Sequence, residues 1–553
     1  MKSGTRTGLL VLEASLLLGL LGDALLRATP WGLNVLLWVG AVAAAYGALV
    51  RRRRVRLGGE GRWLVPAALA VAFAFVWRDS LTLRTIDFFA ILALLALGQL
   101  RARSGRVRLA GVTEYAFAAL FAAASAVVGP LLLVAQDIGW KEIPRGGWSR
   151  HAFAVLRGLV IAAPLVLVFG ALFVAADAVY EGLVARTFNV DGEVIVSHAV
   201  LFGFLSWLSA GYLRGGFVGP ERAAGASLPA HVALSFDGWK SAGDDATAEG
   251  ETKDEAAVVK EEAGGEGAGE AMPSQEGRRA VSLGVVEVGV VLGLLNALFF
   301  SFVAVQLRYF FGGAGLVQST TGLTYADYAR RGFFELVWVA ALVLPLLLAA
   351  HWLLRKENPA HERAFRLLAG GLLAMLFVIM VSAVGRMRLY QSEYGQTELR
   401  LYTTAFMGWL GLVFVWFALT VLRGRRERFA CGALVSALMV LAALHFVNPD
   451  NLIARTNAGL SKPGRAFDAC YASALSADAA PALVEILPSL PPHDRSMLAR
   501  ELLDRWPAGG GDWRTWNLSR GRARAAVAAR VEMLREMAAE PPSQNCSRGR
   551  FED

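Results

Sequence analysis

Residues 364–385 read AFRLLAGGLLAMLFVIMVSAVG, twenty-two positions in which Arg366 is the sole charge. As a helix rising 1.5 Å per residue this stretch is about 33 Å long, enough to cross the roughly 30 Å of hydrocarbon in a bilayer. Working outward, the same pattern recurs along the chain in apolar blocks at 9–26, 31–50, 63–77, 81–100, 113–136, 152–176, 194–214, 281–307, 333–354, 364–385, 402–422 and 428–447. Of the 553 residues 55% are hydrophobic and 18% charged, with a mean hydropathy of +0.46, so a soluble domain has no surface to offer water. Backbone polar groups in lipid must be satisfied within their own segment, which leaves helices as the spanning element here. The fold class is an all-α polytopic transmembrane helical bundle of about 11–13 spans with a small helical C-terminal tail. Pro66, Pro130, Pro164 and Pro345 fall inside blocks and predict kinks. Met1–Thr7 with its following apolar run reads as the first span, because no small-residue cleavage site leads into soluble sequence.

The chain divides into an N-terminal membrane region, 1–218, with about seven spans, an acidic linker, 219–280, a C-terminal membrane region, 281–447, with about five, and a tail, 448–553. Asp237 to Glu276 holds twelve carboxylates against Lys240, Lys253 and Lys260, a composition that cannot offset its ordering entropy and reads as disordered. The tail reads as short amphipathic helices near 465–475, 479–488, 495–505 and 519–538. Ser476 or Asp478 is positioned to cap the second, and Asn517 or Ser519 the fourth.

The net charge of +9 sits mainly in arginines between apolar blocks. There they meet lipid phosphates and fix topology, so the expected partner is membrane lipid and not nucleic acid. The tail or the acidic linker offers a surface for a protein partner. Loops 51–62 and 101–112 are arginine-rich and expected to be cytoplasmic, with the N-terminus inside. Twelve crossings then leave the tail inside and the basic loops 355–366 and 423–428 outside. One crossing more or fewer between 113 and 332 would bring all four basic loops to one side.

Three polar clusters flank spans: Thr324–Glu335, Arg386–Tyr402 and Asn448–Asn457. Two spans separate each from the next, so all three face the same side. Within them Glu335, Arg386, Arg388, Tyr390, Glu393, Tyr394 and Arg400 form a candidate polar site, in which arginines take an anionic headgroup or solute and a carboxylate, Glu398 among them, acts as partner or proton carrier. The same residues also fit plain anchoring, since arginine snorkels and tyrosine sits at headgroup depth. Inside the blocks Asp87, Glu287 and Asn296 are the candidate intramembrane groups; Glu13 and His198 are further ionisable residues there, and Asp23, Arg84 and Asp177 lie near block ends. Arg84 and Asp87, three apart, can pair on one helix face.

The stretches LTYADYARRGFFEL (323–336), RMRLYQSEYGQTELRLY (386–402), NPDNLIARTN (448–457) and FDACYASALSADAAPALVEIL (467–487) resemble the motifs of the bacterial membrane proteins grouped as the domain-of-unknown-function family 4173, with the neighbouring family 4153. The resemblance covers about 280–490 and implies a multipass protein of the bacterial inner membrane. It implies no activity and carries over no catalytic residue.

Catalytic and metal signatures do not appear. Gly312, Gly313 and Gly315 lack a following GK[ST], His361–Glu362 and His493–Asp494 lack zinc spacing, and Cys431, Cys470 and Cys546 form neither a CxxC nor a paired framework. No cofactor, metal or catalytic residue is expected. Transport of an ion or small solute stands first among the functional readings and predicts that Asp87, Glu287 and Asn296 line a water-accessible cavity. A membrane scaffold or signalling component stands second and predicts a dry bundle with a polar motif face. An enzyme acting on lipid-linked substrate stands third.

Overall fold

The computed structural model describes residues 3–53, 62–104, 107–142, 192–217, 285–321, 333–354, 359–460, 467–507 and 509–539. The expected span 152–176, the linker 219–280 and Thr324–Arg331 of the first polar cluster lie outside these. Every regular element described is a helix: α1 (Ser3–Leu26), α2 (Leu33–Arg53), α3 (Leu64–Trp77), α4 (Leu81–Ser104), α5 (Val112–Leu132), α6 (Gly192–Phe217), α7 (Val285–Thr321), α8 (Phe333–Leu353), α9 (Pro359–Tyr394), α10 (Glu398–Thr420) and α11 (Phe429–Val447). The tail adds α12 (Pro449–Leu460), α13 (Ala469–Ala474), α14 (Ala480–Ile486), α15 (Pro492–Arg505), α16 (Leu518–Ala529) and α17 (Val531–Ala539). Ten of the helices are long and apolar enough to cross a membrane: α1, α2 and α4 to α11. The chain is therefore a multipass, all-α membrane protein.

Contacts between helix ends fix which end lies at which face. The turn after α1 and the turn between α3 and α4 both meet the tail: Arg520 donates to the Trp31 carbonyl at 3.0 Å, and Asn517 to the Arg78 carbonyl at 2.9 Å. Hence α2 and α3 run out and back, and α3 crosses although it has only 14 residues. At the other end of the bundle, His351 packs on Phe365 at 5.2 Å, joining the end of α8 to the start of α9. The basic segments at Arg51–Arg52, Arg62, Arg108, Arg363–Arg366 and Arg423–Arg428 all fall at this second face, and the tail at the first. The four basic loops thus share one side. Of the placements the sequence left open, this is the one that keeps the basic loops together.

Helix α5 accounts for this placement. Its composition suits a span, yet both ends touch the basic-face ends of their neighbours. Tyr115 donates to the Val107 carbonyl just past α4, and at the far end Arg214, in the last turn of α6, reaches Asp137 at 2.6 Å while Gly139 N–H donates to Thr5 at the start of α1. Near its end α5 passes α6 at the glycines Gly129 and Gly211, and a Cβ on Gly211 would collide with the Ser125 carbonyl oxygen. Small residues at such a crossing let two backbones approach closely. Glu142 is therefore at the basic face, and Gly192, which opens α6, is at the tail face.

Two bundles result. Buried Leu292, Ala340, Leu372, Leu376, Phe414 and Phe417 centre the C-terminal core, and α11 also packs Leu434 and Leu438 against Leu64, Leu94 and Leu97 of the N-terminal half. The tail has a core of its own, with Ile453, Leu483, Leu487, Leu498, Val527 and Leu534 buried. Cys431 is a free thiol.

The arrangement predicts opposite labelling of cysteines placed at Glu427 and at Glu532, in a background without native reactive thiols. A membrane-impermeant maleimide applied to sealed vesicles should modify Glu427→Cys from one side and both Glu393→Cys and Glu532→Cys from the other. Modification of Glu427→Cys and Glu532→Cys from the same side would refute it.

Candidate functional site

The short helix α3 ends in Trp77, Arg78, Asp79 and Ser80 before α4 begins. The last carbonyls of any helix lack intrahelical donors, and at this depth few waters are at hand. The tail supplies them: Asn517 Nδ2 donates to the Phe75 and Arg78 carbonyls at 2.8 and 2.9 Å, and Ser519 Oγ lies 2.9 Å from the Trp77 carbonyl. Asn517 also caps α16, accepting from Arg520 N–H. That is the cap the sequence predicts, with its amide turned to a second task.

Asp478 sits at the centre. Its Oδ2 accepts from the backbone N–H of Asp79 at 2.7 Å and of Ser80 at 3.2 Å, and its Oδ1 accepts from Arg78 Nη1 at 3.1 Å and from the Ser519 hydroxyl at 2.5 Å. The Ala477 N–H in turn bonds the Asp79 carboxylate. Asp478 therefore does not cap α14, whose N-terminus has no side-chain cap. Arg78 is buried and also donates Nε to the His445 carbonyl at the end of α11. Asp79 Oδ1 lies 3.5 Å from both Arg84 and Arg520. Burial nevertheless holds the Asp79 carboxyl above its ordinary pKa and the Arg520 guanidinium below its own. One buried ionic network so joins the N-terminal bundle, α11 and the tail.

A second group adjoins it. Asn448, left-handed at φ 57°, ends α11, and Pro449 opens α12, so Asp450 falls in the first turn. Asp450 Oδ2 accepts from the Ser476 N–H at 3.2 Å and from its hydroxyl, while Oδ1 is buried and receives no N–H or hydroxyl. Its carboxyl faces that of Glu398, with which it hydrogen-bonds. Two carboxyls in contact hold a proton between them. Burial, with Glu398 and Asp478 nearby, pushes Asp450 up to about 7, although its bonds from Ser476 pull the other way. Tyr471, whose oxygen accepts the Glu398 N–H at 2.8 Å, is pushed by burial up to about 12 and stays protonated.

The residues singled out from sequence separate into several places. Arg400 lies over the Tyr390 ring at 4.2 Å and donates to the Tyr390 oxygen and to the Tyr394 and Gly395 carbonyls. It closes the end of α9, where Gly395 takes φ 76°. Tyr394 packs on Tyr390. The turn is locked to α12 by Gln396 N–H to Asn457 Oδ1 at 2.7 Å and Asn457 Nδ2 back to the Gln396 carbonyl at 2.9 Å. Arg386 is half-buried, whereas Arg388, Glu393 and Glu335 are exposed. Asp87, about two turns of α4 beyond Ser80, is fully buried and bonds His445 Nε2 at 3.0 Å. It does not pair with Arg84, which turns to Asp79, because the backbone carries Arg84 toward the face and Asp87 toward α11. Asn296 donates to the Leu292 and Leu368 carbonyls and staples α7 to α9, and Glu287 is exposed near the basic face. The intramembrane candidates thus lie apart. Near their block ends, Asp23 and His198 meet at 2.6 Å across α1 and α6.

Sequence reasoning missed Arg78, Asp79, Ser80, His445 and Arg520, and gave Asp478 and Ser519 only as candidate helix caps. Arg78 and Asp79 stood between two apolar blocks and Asp478 inside a recognised motif, which was the available signal. Their partners lie some 400 residues away in the chain.

The family described as Domain of unknown function (DUF4153) matches residues 64–486. The match opens with α3 and closes with α14, and so includes Arg78, Asp79, Glu398, Asp450 and Asp478 but not Asn517, Ser519 or Arg520. It is the neighbour of the two families that the motifs resemble, and it reaches well N-terminal of residue 280. No curated protein matches the chain, and no solved structure does.

Removing one partner of a buried ion pair costs about 3–5 kcal/mol. Asp478→Ala should therefore release the tail, seen as faster proteolysis after residue 460 with the membrane helices intact; unchanged cleavage would contradict the network's role. For Asp450 the folded pKa is raised, so its stabilising contribution is complete below the unfolded value of 3.8 and is lost as pH climbs to about 7. Tail protection measured by hydrogen exchange should weaken across that window and level off above it, and Asp450→Asn should flatten the dependence.

Proposed function

The chain belongs to the DUF4153 family, and on that premise we propose that it is a membrane scaffold that holds its C-terminal helical domain rigidly on one face of the bilayer to receive a protein partner. The observation that carries this reading is the buried Asp478 network, which binds the domain to both membrane bundles at once. A tail that merely trailed from the last span would not bury three carboxylates and two arginines against the bundle. Such buried ionic contacts confer a fixed geometry more than they confer stability.

On this reading the membrane is the bacterial inner membrane, and the domain stands on its outer side. The shared face of the four basic loops supports this orientation, since arginine-rich short loops remain in the cytoplasm. The partner would then be another protein of the envelope.

Transport is the second reading, and the buried Asp87–His445 pair favours it, since ionisable groups at membrane depth serve proton and ion pathways. It draws less support from the cavities among the described residues. One of about 50 Å³ is lined by Val39, Tyr46, Leu64, Leu94, Tyr212 and similar apolar groups, another of about 10 Å³ by Val288, His361 and Phe365, and neither includes Asp87, Glu287 or Asn296.

Site-specific photocrosslinking in cells separates the two. With benzoylphenylalanine at Glu532 or Arg535, both exposed on the tail, the scaffold reading expects one discrete protein adduct that disappears in Asp478→Ala while the membrane level holds. Absence of any adduct from tail positions, together with loss of function in Asp87→Asn alone, would overturn it in favour of transport.

A further inference from the structure

The short segment Asp512–Trp516 occupies an unusual place in the tail. It contributes nothing to the tail's own core, and it sits against the ends of α1 and α2. Arg514 Nη1 donates to the Ala24 carbonyl, and the Trp516 carbonyl accepts from Leu33 N–H at 2.9 Å. Arg520, one turn into α16, fastens it further by donating to the Thr515 carbonyl at 2.6 Å and to the Trp31 carbonyl. The segment is thus held at the level where α1 leaves the membrane.

Trp513–Thr515 forms a single 3-10 turn, in which residues three apart project to the same side. Trp513 and Trp516 are three apart, and they are 63% and 51% exposed. Two tryptophans left open on one side of a well-fastened turn need an apolar neighbour. The neighbour available is the bilayer. On α1, Leu16, Leu17, Leu20 and Leu21 are all exposed, a lipid-facing stripe that ends one turn before Ala24. On α4, exposed Phe88 and Phe89 continue the lipid-facing surface, and Phe88 meets the half-open Trp31 ring at 6.5 Å. The rim below Trp513 and Trp516 is therefore lipid, and the rim beside them already carries an aromatic residue.

We propose that the Trp513–Trp516 turn is a membrane-interface anchor, with both indoles seated in the headgroup and carbonyl layer of the leaflet that faces the tail. Indoles partition to that depth because the ring is apolar while its N–H needs an acceptor. The ligand is phospholipid recognised without charge selectivity, since the Arg514 guanidinium is closed onto Asp512, which accepts from it at 2.8 Å and on a second oxygen at 3.1 Å. The anchor fixes the tail against the bilayer at its outer edge, beside the Arg520 arm of the Asp478 network. The inference does not depend on whether the domain receives a partner.

The test uses the full-length protein in vesicles of phosphatidylcholine brominated near the top of the acyl chains. The fluorescence lost in Trp513→Phe, and that lost in Trp516→Phe, should be the component that bromines quench and aqueous acrylamide spares, in pure phosphatidylcholine and in mixtures with phosphatidylglycerol alike. A component quenched by acrylamide and indifferent to bromine would overturn the proposal. A component quenched by bromine only with phosphatidylglycerol present would overturn the absence of charge selectivity. Benzoylphenylalanine at 513 serves as the second measurement: adducts to phospholipid are expected there and not at Glu532, and equal lipid labelling at both positions, or none at 513, would count against the anchor.

Discussion

A helix of 14 residues is too short to cross a bilayer with both ends in water. Helix α3 nevertheless runs from one face to the other, so its last carbonyls and the Arg78–Asp79–Ser80 turn finish at a depth where water is scarce. Unsatisfied polar groups there cost several kcal/mol each. The C-terminal tail meets this demand from outside the membrane: Asn517 and Ser519 take the helix end, Asp478 takes the turn's N–H groups and its arginine, and Arg520 reaches the neighbouring turn. The tail is in this sense the missing last turns of α3.

The remainder of the tail-face architecture follows from that docking. With Asp478 committed to the turn, Ser476 is held beside Asp450, and Asp450 beside Glu398 at the start of α10. Arg78 carries the contact on to the His445 carbonyl, and the His445 ring reaches Asp87 inside the bundle. Charges that would each be expensive alone are tolerated because every one has a partner within a continuous set. A domain positioned by such a set has little freedom to tilt, and that rigidity is what a scaffold requires.

The sequence motifs were legible as motifs, and the structure shows what most of their polar side chains hold. The stretch YGQTELRLY advertises arginine, tyrosine and carboxylates, yet most of its polar groups close the α9–α10 turn: Arg400 on Tyr390 and the helix end, Gln396 on Asn457, Thr397 as the cap of α10. Glu398 is the exception, turned inward to Asp450. Asn296 looked like an intramembrane ligand and is a staple between α7 and α9. Asp87, read as buried and polar, is both, but its partner His445 lies some 358 positions along the chain and no local pattern points to it.

By itself the sequence determined that the chain is a helical bundle in a membrane, because apolar blocks long enough to span hydrocarbon leave no other outcome for a polar backbone. It determined the tail's helical character and the Asn517 cap, since both are written within a few neighbouring residues. Tertiary structure alone decided that α5 runs across the basic face while α3 crosses, and so which loops share a side. It also decided that Asp478, Asp79 and Arg78 meet. Hydropathy measures how well a segment suits lipid and carries no direction, and ion pairs between distant segments exist only once the bundles have brought the helix ends together.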